Sequence, residues 1–117
     1  MGIQPELADA LRTFRRLAQA HRLTYTITSG YRSLRHQERL YSAYLARGRT
    51  GLPAARPGCS LHNFGFAVDA VSRDPDLLVR LMQASGLVWA GRADPVHFGL
   101  VGFPQWRQIL HEAGAVC

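Results

Sequence analysis

Two short stretches carry side chains able to do chemistry together: Ser60-Leu61-His62-Asn63-Phe64-Gly65-Phe66-Ala67-Val68-Asp69, and Asp94-Pro95-Val96-His97-Phe98. His62, Asp69 and His97 offer two neutral imidazoles and one carboxylate, a donor set that suits Zn²⁺. Three protein ligands leave the fourth tetrahedral position to water, the pattern of a catalytic rather than a structural zinc. Asp94, three residues before the last ligand and held on a turn by Pro95, is a natural general base. Neither half is specific alone, since isolated His and Asp residues are commonly caps, turns or core residues. Their joint occurrence beside Phe66-Ala67-Val68 and Phe98 gains weight, because carboxylates and imidazoles projecting from half-buried strands need partners.

The rest of the chain supplies the elements that must position them. Pro5 to about Ala20 reads as a helix, with Leu7, Leu11, Phe14 and Leu17 forming one apolar stripe and Pro5 at the first position. Leu23 to Thr28 alternates apolar and hydroxyl residues as a half-buried strand, so Ser29-Gly30-Tyr31-Arg32 lies at its end. Ser33 caps a second helix to about Arg47, with Leu40, Tyr41, Tyr44 and Leu45 inward and Gly48 as its stop. Arg49 to Cys59 is a loop and a candidate cleft wall. After a strand ending at Val71, Asp74-Pro75 starts a third helix to about Ala84. Short strands at Leu87–Trp89 and Val96–Leu100 follow, then a helix from Phe103-Pro104 carrying Trp106, Ile109, Leu110 and Ala113. His21, His36 and His111 fall outside both motifs and read as surface residues. This order predicts an α+β domain with a small, mainly antiparallel sheet flanked by helices.

At 117 residues the chain reads as a single domain, residues 1–117, with no room for a second module. No apolar run approaches the length of a membrane span, and Met1 to Glu6 leads into a polar amphipathic segment rather than a secretory signal. Net charge is +6, and all of its basic residues except histidine are Arg. Such a surface favours anionic partners. The Arg residues are scattered without a nucleic-acid motif, so nucleic-acid binding is not expected, and a monomer is. Cys59 and Cys117 are too few for a disulfide framework. Cys59 lies three residues before His62 and could be imagined as a fourth ligand. A small thiol in the loop is the favoured reading, since a closed site has no place for water.

Ser-x-His-x-x-Gly-x-Ala-x-Asp followed by Asp-x-x-His-Phe, with Ser29-Gly30-Tyr31-Arg32-Ser33 upstream and Pro57-Gly58 before the first motif, resembles the zinc D,D-carboxypeptidase and L-alanyl-D-glutamate peptidase family. The resemblance implies that His62, Asp69 and His97 hold Zn²⁺, that Asp94 is the base, and that Arg32 steadies the substrate carbonyl as its oxygen becomes negative. It implies a zinc cleft on the sheet and, as substrate, the peptide stems of bacterial peptidoglycan. Asp94, where carboxypeptidase members carry Glu, favours the endolysin-like branch and the L-Ala–D-Glu bond. Against that branch, only Trp89 precedes the Asp, and Gly99 replaces an acidic residue after His-Phe. A D-Ala–D-Ala carboxypeptidase or dipeptidase, or a non-catalytic zinc domain that binds wall, are the alternatives. Without the motif, Arg32 would read as a surface salt bridge. Gln37 could hydrogen-bond substrate or face water, and Ser60 and Asn63 could support the ligands or merely the loop. Without a visible signal, an enzyme acting on cell wall needs another delivery route.

Overall fold

The computed structural model describes all residues except Met1 and Val116, and its elements follow the expected order. They are α1 (Pro5–Ala20), β1 (Thr26–Ser29), α2 (Leu34–Ala46), β2 (Ala67–Val71), α3 (Pro75–Ala84), β3 (Val88–Trp89), β4 (His97–Gly99) and α4 (Phe103–Glu112). The strands form one antiparallel sheet in the spatial order β1-β2-β4-β3. The fold class is α+β. Two short 3-10 turns, Leu61–Phe64 and Gly91–Ala93, were not anticipated from the sequence.

Helix ends follow local chemistry. The Ser33 hydroxyl accepts from the His36 N–H and the Asp74 carboxylate from the Leu77 N–H, while Pro5 and Pro75 occupy the first positions of their helices. Two expectations about side-chain direction fail. Leu45 is exposed, and the one buried residue of α2 is Gln37, because the inner side of this helix borders a cleft rather than the apolar core. The alternation from Leu23 also breaks down. Leu23 is buried and Tyr25 half-buried, but Ile27 is exposed on an edge strand whose register slips between Ile27 and Ser29.

Strand periodicity divides the work of the sheet. Val68 and Ala70 of β2 and Phe98 of β4 join Leu7, Phe14, Leu78 and Met82 in the main core beneath α1 and α3. Each such Leu, Met or Phe contributes roughly 1.5–3 kcal/mol on full burial. Residues offset by one position point the other way. Ala67 pairs with Gly99 and Asp69 with His97, and Asp69 also stands opposite Ser29. Ala67 belongs to a second apolar cluster, Leu61, Trp106 and Leu110, that seats the first 3-10 turn against α4. Gly99 makes that seating possible, since a Cβ there would lie 3.3 Å from Leu61 Cδ1 and 3.2 Å from the Val101 carbonyl.

The cysteines correct the sequence reading. Cys59 and Cys117 form a disulfide, with their Cα atoms 6.0 Å apart, so Cys59 is neither a free thiol nor a metal ligand. The end of α4 brings them together. Trp106 Nε1 donates to the Cys59 carbonyl, and the Ala115 N–H returns to the Leu110 carbonyl, turning the last residues back toward the loop. A separation of 58 residues leaves no local signal for such a pairing.

Candidate metal centre and cleft

The sheet and the first 3-10 turn bring His62, Asp69 and His97 together, with one donor atom from each lying within 4.8 Å of the others. His62 is 2 % exposed. Its Nδ1 donates to the Gly30 carbonyl at 2.9 Å, which turns Nε2 toward Asp69 Oδ1 at 3.1 Å. Groups so close share a cation, a proton when no metal is bound, and 3.1 Å is only slightly shorter than the roughly 3.3–3.4 Å edge of a tetrahedron with bonds of about 2.0–2.1 Å. His97 turns Nδ1 toward Asp69 Oδ1 and Asp94 Oδ2, both at 3.8 Å. Its Nε2 is buried without a hydrogen-bond partner among the described residues, beside the Phe103 ring. These donors fit a tetrahedral divalent metal.

Arg32 enters this centre from the end of β1 and is held on every side. Its backbone N–H donates to the His62 carbonyl, Nε to Ser29 Oγ, one terminal nitrogen to Gln37 Oε1 at 3.2 Å and the other to Asp69 Oδ2 at 2.7 Å. Three of the five guanidinium donors are thus occupied and two are left for the cleft. Gln37, 0 % exposed, completes the frame by donating Nε2 to the Ala55 carbonyl at 2.8 Å, which ties α2 to the loop wall. Ser60 and Asn63 are loop scaffolding. Ser60 Oγ accepts from the His62 N–H, whereas Asn63 accepts from the Gly58 and Ser60 N–H groups and donates to the Arg32 carbonyl. Gly65 ends this turn at φ +73°, where a Cβ would strike the Gly2 carbonyl at 2.4 Å.

Charges in the centre diverge for identifiable reasons. Burial pushes the Asp69 carboxyl up, but the His62 hydrogen bond and the charges of His62, Arg32 and His97 outweigh it and leave it below the usual range. Asp94 is raised, first by burial and then by the neighbouring Asp69 carboxylate. Burial, reinforced by His62, holds His97 down at about 4, so the imidazole is neutral, as a metal ligand must be. Asp94 sits at the end of the second 3-10 turn. Its carbonyl accepts from the His97 N–H, and Trp89 Nε1 clamps the loop by donating to the Pro95 carbonyl.

Arg32, Gln37, Ser60, His62, Asp69, Asp94 and His97 face one cleft of about 630 Å³ between α2, the Arg49–Cys59 loop and α4. Sequence reasoning missed Phe103 and Arg107, which enter it from α4. Their i,i+4 spacing puts them on one helical face, but nothing local says that this face looks toward the metal motif.

Fold and site together define a metal-dependent hydrolase. The chain matches the VanY family, described as D-alanyl-D-alanine carboxypeptidase, over residues 1–109, and it belongs to that family. Among solved structures it resembles a variant of the vancomycin-resistance D,D-pentapeptidase VanY from the VanB-type cassette, in complex with Zn(II). TM-score is 0.69 and identity 21%, with 95% of this chain and 79% of that one covered. It is also similar to VanYB in complex with D-Alanine-D-Alanine (TM-score 0.69, 22% identity, 95% and 78% covered). The L-Ala D-Glu endopeptidase ChiX of Serratia marcescens gives TM-score 0.64 and 19% identity, with 90% and 84% covered. No curated protein sequence matches the chain. No helix among the described residues is long and apolar enough to cross a membrane.

Proposed function

We propose that the chain is a zinc-dependent endopeptidase of the peptidoglycan stem, cutting the L-Ala–D-Glu bond. One observation carries the choice of an endopeptidase. Ala54, Ala55, Cys59 and Arg107 border both the metal cleft and a second cavity beside it, which supports a substrate that extends beyond the scissile bond. His62 Nε2, Asp69 Oδ1 and His97 Nδ1 would hold the zinc, which when bound acts as a Lewis acid and makes water nucleophilic near neutral pH.

The remaining chemistry belongs to the chain. Asp94, raised by burial and 20 % exposed, takes the proton of the attacking water on its carboxylate and passes it to the leaving amine nitrogen. Arg32 turns its two free N–H donors toward the carbonyl oxygen as that oxygen becomes negative. Because Ser29, Gln37 and Asp69 fix the guanidinium beforehand, little reorganisation is needed at that moment. The disulfide supports action outside the reducing cytosol, consistent with a wall substrate.

The family description favours a second reading, release of a terminal D-Ala. Digestion of purified peptidoglycan with mass spectrometry of the new termini separates the two. New L-Ala carboxyl and D-Glu amino termini are expected; release of D-Ala alone would assign the carboxypeptidase.

A further inference from the structure

The second cavity, about 660 Å³, shares Ala54, Ala55, Cys59 and Arg107 with the metal cleft, and no acidic side chain lines it. Arg49 and Arg56 approach it from the loop and Arg107 from α4. Phe103, Arg107 and His111 recur at every fourth residue along α4, making a stripe that runs from the metal cleft into this side cavity. None of the three guanidinium groups pairs with a carboxylate among the described residues. Arg56 Nε donates to the Tyr41 hydroxyl, and Tyr41 is held below the usual phenol range by that hydrogen bond, with the Arg56 and Arg49 charges adding to it. Three cations without an acidic side-chain partner around one cavity offer a site for an anion.

We propose that Arg49, Arg56 and Arg107 form a carboxylate subsite that binds an acidic residue of the stem peptide away from the scissile bond, and so set the substrate preference of this peptidase. The inference rests on the peptidase reading above for its ligand. A stem peptide suits the geometry because Arg107 borders both cavities, so one extended chain can reach the metal centre and the cationic wall together. Planar guanidinium groups match a carboxylate in two-point contact.

The test uses two synthetic stem peptides, each with an acidic residue beyond the D-Glu, that differ only in amidation of that residue's side-chain carboxylate, with zinc-loaded protein. Hydrolysis is followed by mass spectrometry. Binding is measured by calorimetry on an Asp94→Asn background, which holds the peptide uncut. Wild type should favour the free carboxylate, and Arg49→Gln/Arg56→Gln/Arg107→Gln should raise its KM and Kd by about tenfold and erase the preference. Arg15→Gln/Arg16→Gln/Arg80→Gln removes the same charge from exposed helix surfaces and should leave the preference intact. A triple variant that binds both peptides as wild type does would overturn the subsite while leaving the peptidase reading untouched. Arginine-dependent binding without cleavage of any wall peptide would overturn the peptidase reading and keep the subsite. Loss of affinity for a soluble glycerol-phosphate polymer, with peptide affinity unchanged, would also overturn the proposal.

Discussion

Replacing Gln37 by leucine removes two hydrogen bonds and almost no volume, so it isolates what the buried amide does. Oε1 accepts from Arg32 at 3.2 Å and Nε2 donates to the Ala55 carbonyl at 2.8 Å, and nothing else on α2 reaches either group. In Gln37→Leu the Ala55 carbonyl and one Arg32 nitrogen lose their partner. Each buried group left unsatisfied costs about 1–3 kcal/mol. Arg32 is 14 % exposed and can recover some hydration, which puts the sum at about 2–4 kcal/mol. Urea unfolding of the metal-free protein measures this without the linkage that bound metal adds. The same change frees the guanidinium, so kcat at saturating zinc should fall roughly 10–100-fold, as misplaced catalytic groups do. Gln37→Glu keeps the acceptor for Arg32 but sets an oxygen against the Ala55 carbonyl. Its stability should improve as pH falls and that carboxyl takes a proton. A Gln37→Leu protein within about 0.5 kcal/mol of wild type, with unchanged kcat, would refute the reasoning.

His62→Ala or His97→Ala should abolish the binding of about one Zn²⁺ per chain together with activity, and full zinc occupancy by metal analysis in both variants would remove this site from consideration. Asp94→Asn should keep its zinc and lose wall hydrolysis by about 10²–10⁴-fold, because the carboxylate acts on protons. Arg32→Lys should lower kcat more than it raises KM, since an ammonium cannot reach Ser29, Gln37, Asp69 and substrate at once; wild-type kcat with a raised KM would make Arg32 a carboxylate clamp instead. In metal-free protein, His97 is held at about 4 in the fold against 6.5 unfolded, so the unfolded chain protonates first as pH falls. Stability should therefore be complete above about 6.5 and decline toward 4, by up to about 3 kcal/mol, with the raised Asp94 partly offsetting it. A urea midpoint unchanged between pH 7.5 and 4.5 would contradict the burial argument.

What could be read before the structure was whatever local chemistry writes into neighbouring residues. Asp74-Pro75 and Gly86 bracket α3, Ser33 and Gly48 bracket α2, and period-two alternation brings Asp69 and His97 onto one face of the sheet. The fold class was accessible through the order of helices and strands, and the family and its peptidase chemistry through the resemblance of the motifs. Contacts across the fold were not. Gln37 looks like any polar residue in a first helical turn, and only the approach of Ala55 and Arg32 makes it a buried strut. Leu45 and Ile27 were expected inward on periodicity alone, which does not know that one helix borders a cleft and one strand an edge. The pairing of Cys59 with Cys117 depends on α4 folding back, information spread over the whole second half of the chain.

That pairing turns the second half of the molecule into a covalent macrocycle. His62, Asp69, Asp94 and His97 all lie within the ring, whereas Arg32 and Gln37 reach in from outside it. Closing a loop of this length removes about 4 kcal/mol of chain entropy from the unfolded state, and all of it falls on the segment that must gather the donor set. The ring also has a topological effect. A single cut of the exposed backbone at Arg73 or Arg92 cannot separate one donor residue from another, since both new ends stay joined through sulfur. Such a chain can be nicked once in its working half and remain one molecule until a reductant arrives.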